Sequence, residues 1–371
     1  MTLVGTRPEL IKMSRVIAEL DRHTDHVLVH SGQNYDYELN AVFFDELGIR
    51  RPDHFLNAAA ATAAGTIAEV ITKSDQLFEA VRPEALLLYG DTNTCLAVIP
   101  AKRRKIPVFH MEAGNRCFDQ RVPEELNRKV VDHLSDINMV LTEHARRYLM
   151  AEGIRPETII KTGSHMAEVL DCYRDQIEAS DVLERIGLAA GQFFLVSAHR
   201  EENVDDPESL QALLATLDAL ESEYHLPVIV STHPRTRQRL EALGGIDTRH
   251  GIQFLKPFGM IDYIQLQLSA CCILSDSGTI TEEASLLNLP AITIRNSHER
   301  PEGMDNGTLI MSGLTRERVL DAVRVVLSQH DRTRRVFPVV DDYQAGPVSK
   351  QVVRVVLSYI DYVNRTVWHK A

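Results

Sequence analysis

A short stretch of the chain concentrates side chains that could transfer protons. It follows an apolar run at residues 106–109, and its charged residues fall into two groups, 110–116 and 123–128. The carboxylates there are Glu112, Glu124 and Glu125. Because an unpaired charge at the end of a buried strand is costly, these groups must be solvated, paired or used in chemistry. An ion-pair network at a domain edge is the other interpretation, and this stretch alone leaves both open.

The composition is typical of a soluble globular protein with two domains. The chain has 371 residues, 44% of them hydrophobic, which is enough for a large buried core. Its formal net charge of −12 argues against nucleic acid as a partner, because phosphate binding needs a basic surface. No apolar run approaches the roughly 18 residues of a membrane helix, and the N-terminus lacks a signal-peptide pattern. We therefore expect neither membrane association nor secretion.

The cysteines indicate a reducing compartment. They lie at irregular spacings, at Cys95, Cys117, Cys172, Cys271 and Cys272. Their odd number and spacing favour neither a disulfide framework nor a CxxC metal site, so a cytoplasmic location fits best. Only residues 1–4 precede the first glycine, which is short for a central strand and suggests a natural start a few residues upstream.

Short apolar runs alternate with longer segments of helical pattern. The predicted strands are residues 1–4, 26–30, 85–89, 108–110, 137–141, 159–162, 193–197, 228–231, 252–255, 272–274 and 291–294. Strands separated by helices indicate βαβ units and parallel sheets, which is an α/β fold. The strand pattern pauses between residues 162 and 191, so the junction of two doubly wound domains is expected at about residues 163–185.

The predicted domains are residues 1–170 and 171–345. A C-terminal helix within residues 346–371 is expected either to pack back across the junction or to cover a sheet face. Such domains bind ligands beyond the carboxyl ends of their strands, and two of them facing each other would form a cleft. The motifs that carry chemistry should therefore lie at strand ends.

The first such motif is Gly-Thr-Arg-Pro-Glu at residues 5–9, which follows a strand and opens a helix. Thr6 and Glu9 have the spacing of a capping box, and proline suits the first helical turn. The backbone amides of this turn would form an anion site. Arg7 adds a bidentate donor for phosphate, and Lys12 lies one turn further on. A well-capped helix with a surface arginine explains the same residues without a ligand.

A similar motif, Ser-Asp-Ser-Gly-Thr-Ile-Thr-Glu-Glu, occupies residues 275–283. Thr279 and Glu282 again have capping-box spacing. Ser277 and Gly278 would offer a hydroxyl and backbone amides to a diphosphate, and a carboxylate one turn later could accept ribose hydroxyls. A Gly-Ser turn alone is weak support for a nucleotide site, and the two acids that follow strengthen it.

Three further strands are predicted to end in polar or titratable residues. They are followed by Gly-Asp-Thr at 90–92, Ser-Ala-His-Arg at 197–200 and Ser-Thr-His-Pro at 231–234. Each alone is more simply explained as a helix cap or a core histidine. Five strand ends of this kind in parallel sheets, however, favour a shared ligand site.

Some motifs are missing from the sequence, which narrows the predicted chemistry. There is no GxGxxG, the fingerprint of a bound nicotinamide cofactor, and no DxD or HExxH that would suggest a divalent metal. We therefore predict a reaction that needs neither a cofactor nor a metal.

Together these motifs resemble those of the non-hydrolysing UDP-N-acetylglucosamine 2-epimerase family. The matching segments are 5–9 with Lys12, 90–92, Glu-Ala-Gly-x-Arg at 112–116, Pro-Glu-Glu-x-Asn-Arg at 123–128, His-Arg at 199–200, Asp-Ser-Gly at 276–278 with Glu282 and Glu283, and Glu-Arg-Pro-Glu at 299–302. They come in the family's order and run from residue 5 to about 313. The resemblance implies a GT-B fold, two Rossmann-like domains with an interdomain active site, and interconversion of C2 epimers of UDP-2-acetamido sugars.

Within that family the chain most resembles the branch that makes UDP-N-acetyl-L-fucosamine from UDP-2-acetamido-2,6-dideoxy-L-talose. Residues 112–125 and Ser-Gly-Gln-Asn-Tyr-Asp-Tyr at 31–37 carry this resemblance. The glucosamine branch usually has a longer, tryptophan-containing connection before Pro-Glu-Glu, and Gln-His-Arg in place of 33–35. UDP-N-acetylglucosamine to UDP-N-acetylmannosamine conversion is the alternative. The resemblance also implies a homodimer and a role in capsule or O-antigen synthesis.

The mechanism implied by this resemblance begins with loss of UDP. The C2 proton of a 2-acetamido sugar is not alpha to a carbonyl, so direct deprotonation is a poor route. Breaking the C1–O bond acidifies that proton and yields a 2-acetamidoglycal, to which UDP re-adds after protonation on the opposite face. The scheme needs a carboxylate base, an acid on the other face, cations for the diphosphate and exclusion of water.

The resemblance also implies a role for individual residues. The catalytic candidates are Asp91, Glu112 and Glu124 at the sugar, with His199 opposite them in the second domain. The UDP ligands are Arg7, Ser277 and Gly278 for the diphosphate and Glu283 for the ribose. Further binding candidates, which could instead hold carboxylates in position, are Lys12, Arg116, Arg128, Arg200 and Arg300. Which carboxylate takes the proton is left open.

Two functions of other classes fit parts of the pattern. A GT-B glycosyltransferase would share the fold and the UDP site, but it needs at most one base where this chain has three carboxylates. A catalytically inactive sugar-nucleotide sensor would tolerate loss of the acid–base residues, all of which are present.

Overall fold

The computed structural model describes residues 1–32, 44, 46–242 and 251–370. It divides into two compact units. The first unit comprises Met1–Asp171 and Asp342–Ala371, and the second comprises Cys172–Asp341. Most of the segment 31–37 therefore lies outside the described residues, and the prediction that rests on residues 33–37 cannot be compared with the structure.

The first unit contains a parallel sheet of seven strands in the order β3-β2-β1-β4-β5-β6-β7. The strands are β1 Thr2–Val4, β2 Leu28–His30, β3 His54–Phe55, β4 Leu86–Tyr89, β5 Val108–Met111, β6 Ile137–Val140 and β7 Ile159–Lys161. Every residue of the central strands β1, β4 and β5 is buried. Burial on both faces explains why these strands read as continuous apolar runs.

Helices cover this sheet. They are α1 Arg7–His23, α2 Ala63–Val81, α3 Val98–Arg103, α4 Pro123–Leu134, α5 Glu143–Ala151 and α6 Met166–Cys172. In α1 the apolar residues Leu10, Met13, Ile17 and Leu20 recur at helical spacing and are buried. The helix has proline in its first turn and ends with a basic turn, both of which suit its macrodipole and caps.

The second unit repeats the arrangement with six parallel strands in the order β10-β9-β8-β11-β12-β13. They are β8 Phe194–Ser197, β9 Val228–Ser231, β10 Ile252–Leu255, β11 Cys272–Ser275, β12 Ala291–Thr293 and β13 Ile310–Met311. The helices of this unit are α7 Arg174–Glu178, α8 Val182–Arg185, α9 Glu201–Val204, α10 Pro207–Tyr224, α11 Pro234–Ala242, α12 Met260–Ser269, α13 Thr279–Leu287, α14 Pro301–Asp305 and α15 Arg316–Gln329.

The C-terminal helix α16, Val348–Thr366, belongs to the first unit and packs against α1. Its buried face carries Val352, Val356 and Val363. These positions are four and seven residues apart, so they lie on one side of the helix. Among the residues that the structure describes, no helix is both long and apolar enough to cross a membrane.

The eleven predicted strands are all present, and the predicted α/β class with parallel sheets is confirmed. Two strands were missed, His54–Phe55 and Ile310–Met311. Each has two residues and pairs at the edge of its sheet, so neither shows an apolar run or an alternation that a sequence pattern could reveal.

Candidate active site

The strand order of each sheet locates its ligand-binding edge. In both sheets the winding direction reverses between two adjacent strands, β1 and β4 in the first and β8 and β11 in the second. Ligands of doubly wound sheets bind at this reversal, outside the carboxyl ends of the strands. The motifs at 5–9, 90–92, 197–200 and 276–278 follow these four strands.

Glu9 links the two turns at the reversal of the first unit. Its Oε2 accepts the Gly5 N–H at 2.5 Å, and its Oε1 accepts the Thr92 hydroxyl at 2.6 Å. Burial raises the pKa of Glu9 from 4.5 to about 7, against the lowering effect of these hydrogen bonds. The predicted capping box is wrong here, because Thr6 makes no side-chain cap and Glu9 reaches back to Gly5 instead.

Asp91 is held by residues of α4. Its Oδ2 accepts Arg128 Nε at 2.8 Å and lies 2.7 Å from Arg128 Nη2, and Asn127 Nδ2 donates to its carbonyl at 2.9 Å. Arg128 also donates to Glu125 at 3.1 Å and is almost fully buried. Arg128, predicted as a substrate ligand, is therefore placed to hold a carboxylate.

Glu112 follows β5 in a left-handed conformation with φ of 62°. Non-glycine residues adopt such backbone rarely, and functional sites are where the strain is most often found. Lys12 Nζ lies 2.7 Å from Glu112 Oε2, and the Tyr89 hydroxyl donates to the same oxygen. The structure thus brings two predicted residues, Lys12 and Glu112, into direct contact and adds Tyr89.

A buried network centred on Asp132 orders the loop after β5. The Asp132 carboxylate accepts the Gly114 N–H at 3.1 Å and Arg116 Nη1 at 2.7 Å, and it lies 2.8 Å from His110 Nδ1. His110 Nε2 reaches the Gly90 carbonyl at 2.7 Å, so the network also contacts the turn before Asp91. It therefore connects the loops of two predicted catalytic carboxylates.

The prediction that Arg116 binds substrate does not fit its position. The side chain is fully buried and donates to both oxygens of Glu152 at 2.7 Å, in addition to Asp132. The sequence pattern could not distinguish a ligand arginine from one that pairs with carboxylates elsewhere in the chain. Arg116 connects the loop that carries Glu112 to Asp132 of α4 and to Glu152.

Glu124 and Glu125 have different environments in the first turn of α4. Glu125 is buried and accepts the backbone N–H groups of Cys117 and Phe118 at 3.1 and 3.3 Å. Glu124 is half-buried, as is Arg7 at the start of α1. Glu124 and Arg7 therefore stay accessible at the edge where ligands of this sheet type bind.

In the second unit, Asp276 organises the turn that contains His199. Asp276 Oδ2 accepts the backbone N–H groups of His199 and Arg200, both at 2.9 Å. Its Oδ1 lies 3.0 Å from His199 Nδ1. Burial alone would raise the pKa of Asp276, but the charge of His199 and the hydrogen bonds outweigh it and lower the pKa to about 2. The imidazole of His199 is thus oriented by an ionised carboxylate while 36% of it remains exposed.

A compact ion-pair cluster surrounds Gly278. Arg300 Nη2 lies 2.9 Å from Glu282 Oε1, and Arg295 Nη1 donates to Glu299 at 2.6 Å. A side chain at Gly278 would collide with the Glu299 carboxylate and come within 2.5 Å of Arg300 Nη1. The pocket beside this cluster is lined by Ser277, Gly278, Thr281, Thr293, Arg295, His298, Glu299, Arg300, Met304 and Leu309.

The other predicted ligands of this unit have different environments, and they are Ser277, Arg200 and Glu283. Ser277 lies in the wall of this pocket, and Arg200 Nη2 approaches Glu299 at 3.5 Å. Glu283 is buried and accepts Gln267 Nε2 at 2.6 Å. The second capping box is wrong, because Thr279 already lies inside α13 and Glu282 pairs with Arg300.

Comparison with known proteins identifies the family. The sequence model of the UDP-N-acetylglucosamine 2-epimerase family matches residues 18–357, which is nearly the whole chain. The chain belongs to that family. The UDP-sugar 2-epimerases of this family are isomerases of the non-hydrolysing type, and so is this protein. The glycosyltransferase and sensor alternatives are not retained.

Two solved structures of the epimerase family show how far the similarity extends. The UDP-N-acetylglucosamine 2-epimerase of Rickettsia bellii is 58% identical, with a TM-score of 0.93 over 100% of this chain and 99% of that one. The Methanocaldococcus jannaschii UDP-GlcNAc 2-epimerase, solved with UDP-GlcNAc and UDP, is 30% identical with a TM-score of 0.90, covering 96% and 99%. The GT-B-like fold predicted from the sequence is confirmed.

The epimerase family also includes a different substrate. The UDP-2,3-diacetamido-2,3-dideoxy-D-glucuronate 2-epimerase of Pseudomonas aeruginosa is 32% identical over 335 residues, which cover 89% of this chain and 92% of that protein. Similarity of this order therefore identifies a UDP-sugar 2-epimerase without identifying the sugar.

Sequence reasoning did not select several residues that hold the predicted ones, namely Tyr89, Asp132, Asp276 and Glu299. Asp276 and Glu299 stood inside recognised motifs and were not separated from their neighbours. Tyr89 is the last residue of an otherwise aliphatic strand. A polar hydroxyl at the end of such a strand is a feature from which the sequence could have predicted a site residue. Asp132 gives little signal, because its partners lie 16 to 22 residues away along the chain.

Proposed function

We propose that this epimerase converts UDP-2-acetamido-2,6-dideoxy-L-talose to UDP-N-acetyl-L-fucosamine, by elimination of UDP and re-addition through a 2-acetamidoglycal. The observation that best supports the chemistry is Glu112, a carboxylate presented by left-handed backbone and bound by Lys12 and Tyr89. Support for the substrate comes from residues 112–125, whose sequence resembles the fucosamine branch.

In this proposal the first unit performs the acid–base chemistry. Asp91, Glu112 and Glu124 provide the carboxylates, and one of them removes the C2 proton once C1 has oxocarbenium character. Arg128 orients the Asp91 carboxylate by pairing with it at 2.7 Å. Lys12 and Tyr89 restrict Glu112 to one arrangement, so that the reacting geometry is set before the substrate binds.

The second unit binds UDP in this proposal. The Ser277 hydroxyl and the Gly278 amide, at the start of α13, suit a diphosphate, and Arg300 lies beside them in the same pocket. Arg7 supplies a further guanidinium for the diphosphate, and Glu283 accepts a ribose hydroxyl. His199 acts as the second proton carrier, with Asp276 orienting its ring.

Epimerisation of UDP-N-acetylglucosamine to UDP-N-acetylmannosamine is the second candidate. It is favoured by the relatives from R. bellii and M. jannaschii, both of which are UDP-GlcNAc 2-epimerases. The two candidates share every catalytic step and differ at the sugar ring.

We also propose a homodimer and a place for the product in capsule or O-antigen synthesis. Light scattering of the purified protein tests the dimer directly.

The substrate is tested by NMR in deuterated water. The protein is incubated separately with the talose compound and with UDP-N-acetylglucosamine, and the C2 proton and anomeric signals are followed. We expect C2 exchange and a new epimer only with the talose compound. Turnover of UDP-N-acetylglucosamine alone would establish the second candidate, and no exchange with either sugar would refute the proposed function.

A further inference from the structure

Glu9 is a buried carboxyl group to which the proposed mechanism gives no role. Its side chain is 3% exposed and lies in the first turn of α1. It accepts hydrogen bonds from two different turns, one from the Gly5 N–H after β1 and one from the Thr92 hydroxyl after β4. These turns flank the point where the first sheet reverses its winding.

The two turns that Glu9 joins each carry a residue of the proposed site. Arg7 is two residues beyond Gly5, and Asp91 immediately precedes Thr92. The turn at Gly5 has no room to adjust by itself, because a Cβ there would collide with the side chains of Ser31 and Thr94. The position of one turn relative to the other is therefore set by this close packing together with the hydrogen bonds to Glu9.

We propose that Glu9 is a positioning residue of the epimerase, which in its ionised form holds the turn carrying Arg7 and the turn carrying Asp91 in register for catalysis. This inference rests on the proposed function, because it takes Arg7 and Asp91 as site residues. An ionised carboxylate accepts both the N–H and the O–H. When Oε1 is protonated, the Thr92 hydroxyl must accept a hydrogen bond from it instead of donating one, and both contacts lose the charge that makes hydrogen bonds to a carboxylate stronger. The link between the two turns is therefore weaker in the protonated form.

The charges around Glu9 determine when this change occurs. Asp91 faces it from the turn after β4 and disfavours its ionised form, and the buried Cys95 faces it from the short helix Asn93–Ala97. Arg128 of α4 acts through its pairing with Asp91. Burial raises the pKa of Glu9 to about 7, so both forms are populated near neutral pH.

The test is the pH dependence of kcat/KM for the wild type and for Glu9→Gln and Thr92→Val. In the wild type, kcat/KM should fall as the pH is lowered through about 7. Glu9→Gln imitates the protonated form. At pH 8 its kcat/KM should be lower than that of the wild type by about tenfold or more. Its kcat/KM should not fall as the pH is lowered through about 7. Thr92→Val removes a hydrogen bond that favours the ionised form, so the fall should move to higher pH.

Glu19→Gln provides a matched control. Glu19 is also buried and lies on α1, ten residues beyond Glu9 and paired with Arg22 at 2.8 Å. At 1.5 Å per residue this is about 15 Å along the helix from the turns, so its pH profile should match the wild type. Circular dichroism of each variant checks folding. Because Glu9→Gln and Thr92→Val keep the side-chain size, the inference does not depend on a truncation that could unfold α1.

The outcomes separate this inference from the proposed function. If the wild type epimerises neither UDP-sugar, the proposed function is refuted. If the wild type is active but Glu9→Gln keeps the same rate and the same fall near pH 7, the positioning role is overturned and the proposed function stands. A Thr92→Val profile that does not move would likewise contradict the coupling between Thr92 and Glu9.

Discussion

Glu112 shows at the scale of a single residue how this site is assembled. Its φ of 62° is unfavourable for a residue with a Cβ. The contacts around the residue must offset the free-energy cost of this conformation. Lys12 and Tyr89 both contact Oε2, and the next residues, Ala113 and Gly114, are fixed by buried hydrogen bonds. Strain at a carboxylate that two donors hold in place is typical of preorganised catalytic groups.

Glu112→Gln is predicted to abolish most turnover and to leave UDP binding nearly unchanged. The amide keeps the shape of the side chain but can neither take nor give a proton in the reaction, so kcat should fall by roughly 100-fold to 10,000-fold. Steady-state NMR assays and calorimetry with UDP measure the two quantities. Glu79→Gln, at a side chain that is 72% exposed, is the control. Unchanged kcat in Glu112→Gln would remove Glu112 from the chemistry.

Glu9→Gln is predicted to stabilise the protein at alkaline pH. The folded-state pKa of Glu9 is raised from 4.5 to about 7, so its contribution to stability is complete below pH 4.5 and is lost as the pH rises through about 7. At 1.36 kcal/mol per pKa unit, the free energy of unfolding of the wild type falls by about 3 kcal/mol at pH 8. The Glu9→Gln variant has a neutral amide at this position and does not lose this stability. Urea unfolding should show a more stable variant at pH 8 and little difference at pH 4.5. Equal stabilities at pH 8 would contradict a raised pKa.

At the scale of elements, the sequence predicted what short-range patterns determine. The eleven strands with apolar runs were found, and so was the helix beginning at Arg7. Partnerships between distant residues were not predictable. Arg116 and Arg128 have the composition of ligands, yet their carboxylate partners, Glu152 and Asp91, become neighbours only when the sheet forms. The same limit explains the two capping boxes, whose glutamates found partners outside their own helices.

Asp132→Asn tests how α4 and the strand ends depend on each other. An amide nitrogen at this buried position would face donors from His110, Gly114 or Arg116. Breaking such a network should lower the free energy of unfolding by about 3 kcal/mol and reduce kcat through displacement of Glu112. Glu143→Gln, at a half-exposed residue, should change stability by less than about 0.5 kcal/mol. An Asp132→Asn variant with the kcat of the wild type would show that the network is not needed to position Glu112.

Gly278→Ala tests the start of α13 as the diphosphate site. The added Cβ would displace the Glu299 carboxylate and Arg300, so the dissociation constant for UDP should rise about tenfold or more. Gly346→Ala is the matched control, since its Cβ would meet no atom within 4 Å. Calorimetric titration with UDP gives both values. An unaltered UDP affinity in Gly278→Ala would place the diphosphate elsewhere.

At the scale of the whole chain, the two units show the same winding order around different chemistry. In each, two strands lie on one side of the first strand and the remaining strands lie on the other side, and the polar motifs lie at the reversal. The reversal in the first unit carries carboxylates, and the one in the second carries arginines and a glycine turn. The family and the fold class were accessible from motif order. The sugar was not, because relatives of similar identity act on different UDP-sugars.

The central claim is that epimerisation proceeds by breaking the bond between C1 and the UDP oxygen, and positional isotope exchange tests it most directly. The substrate is prepared with ¹⁸O in the bridge between C1 and the β-phosphorus, and ³¹P NMR follows the label during partial turnover in deuterated water. The account predicts that ¹⁸O spreads into the non-bridging positions as deuterium enters C2. Epimerisation with deuterium at C2 and ¹⁸O retained wholly in the bridge would contradict elimination and re-addition.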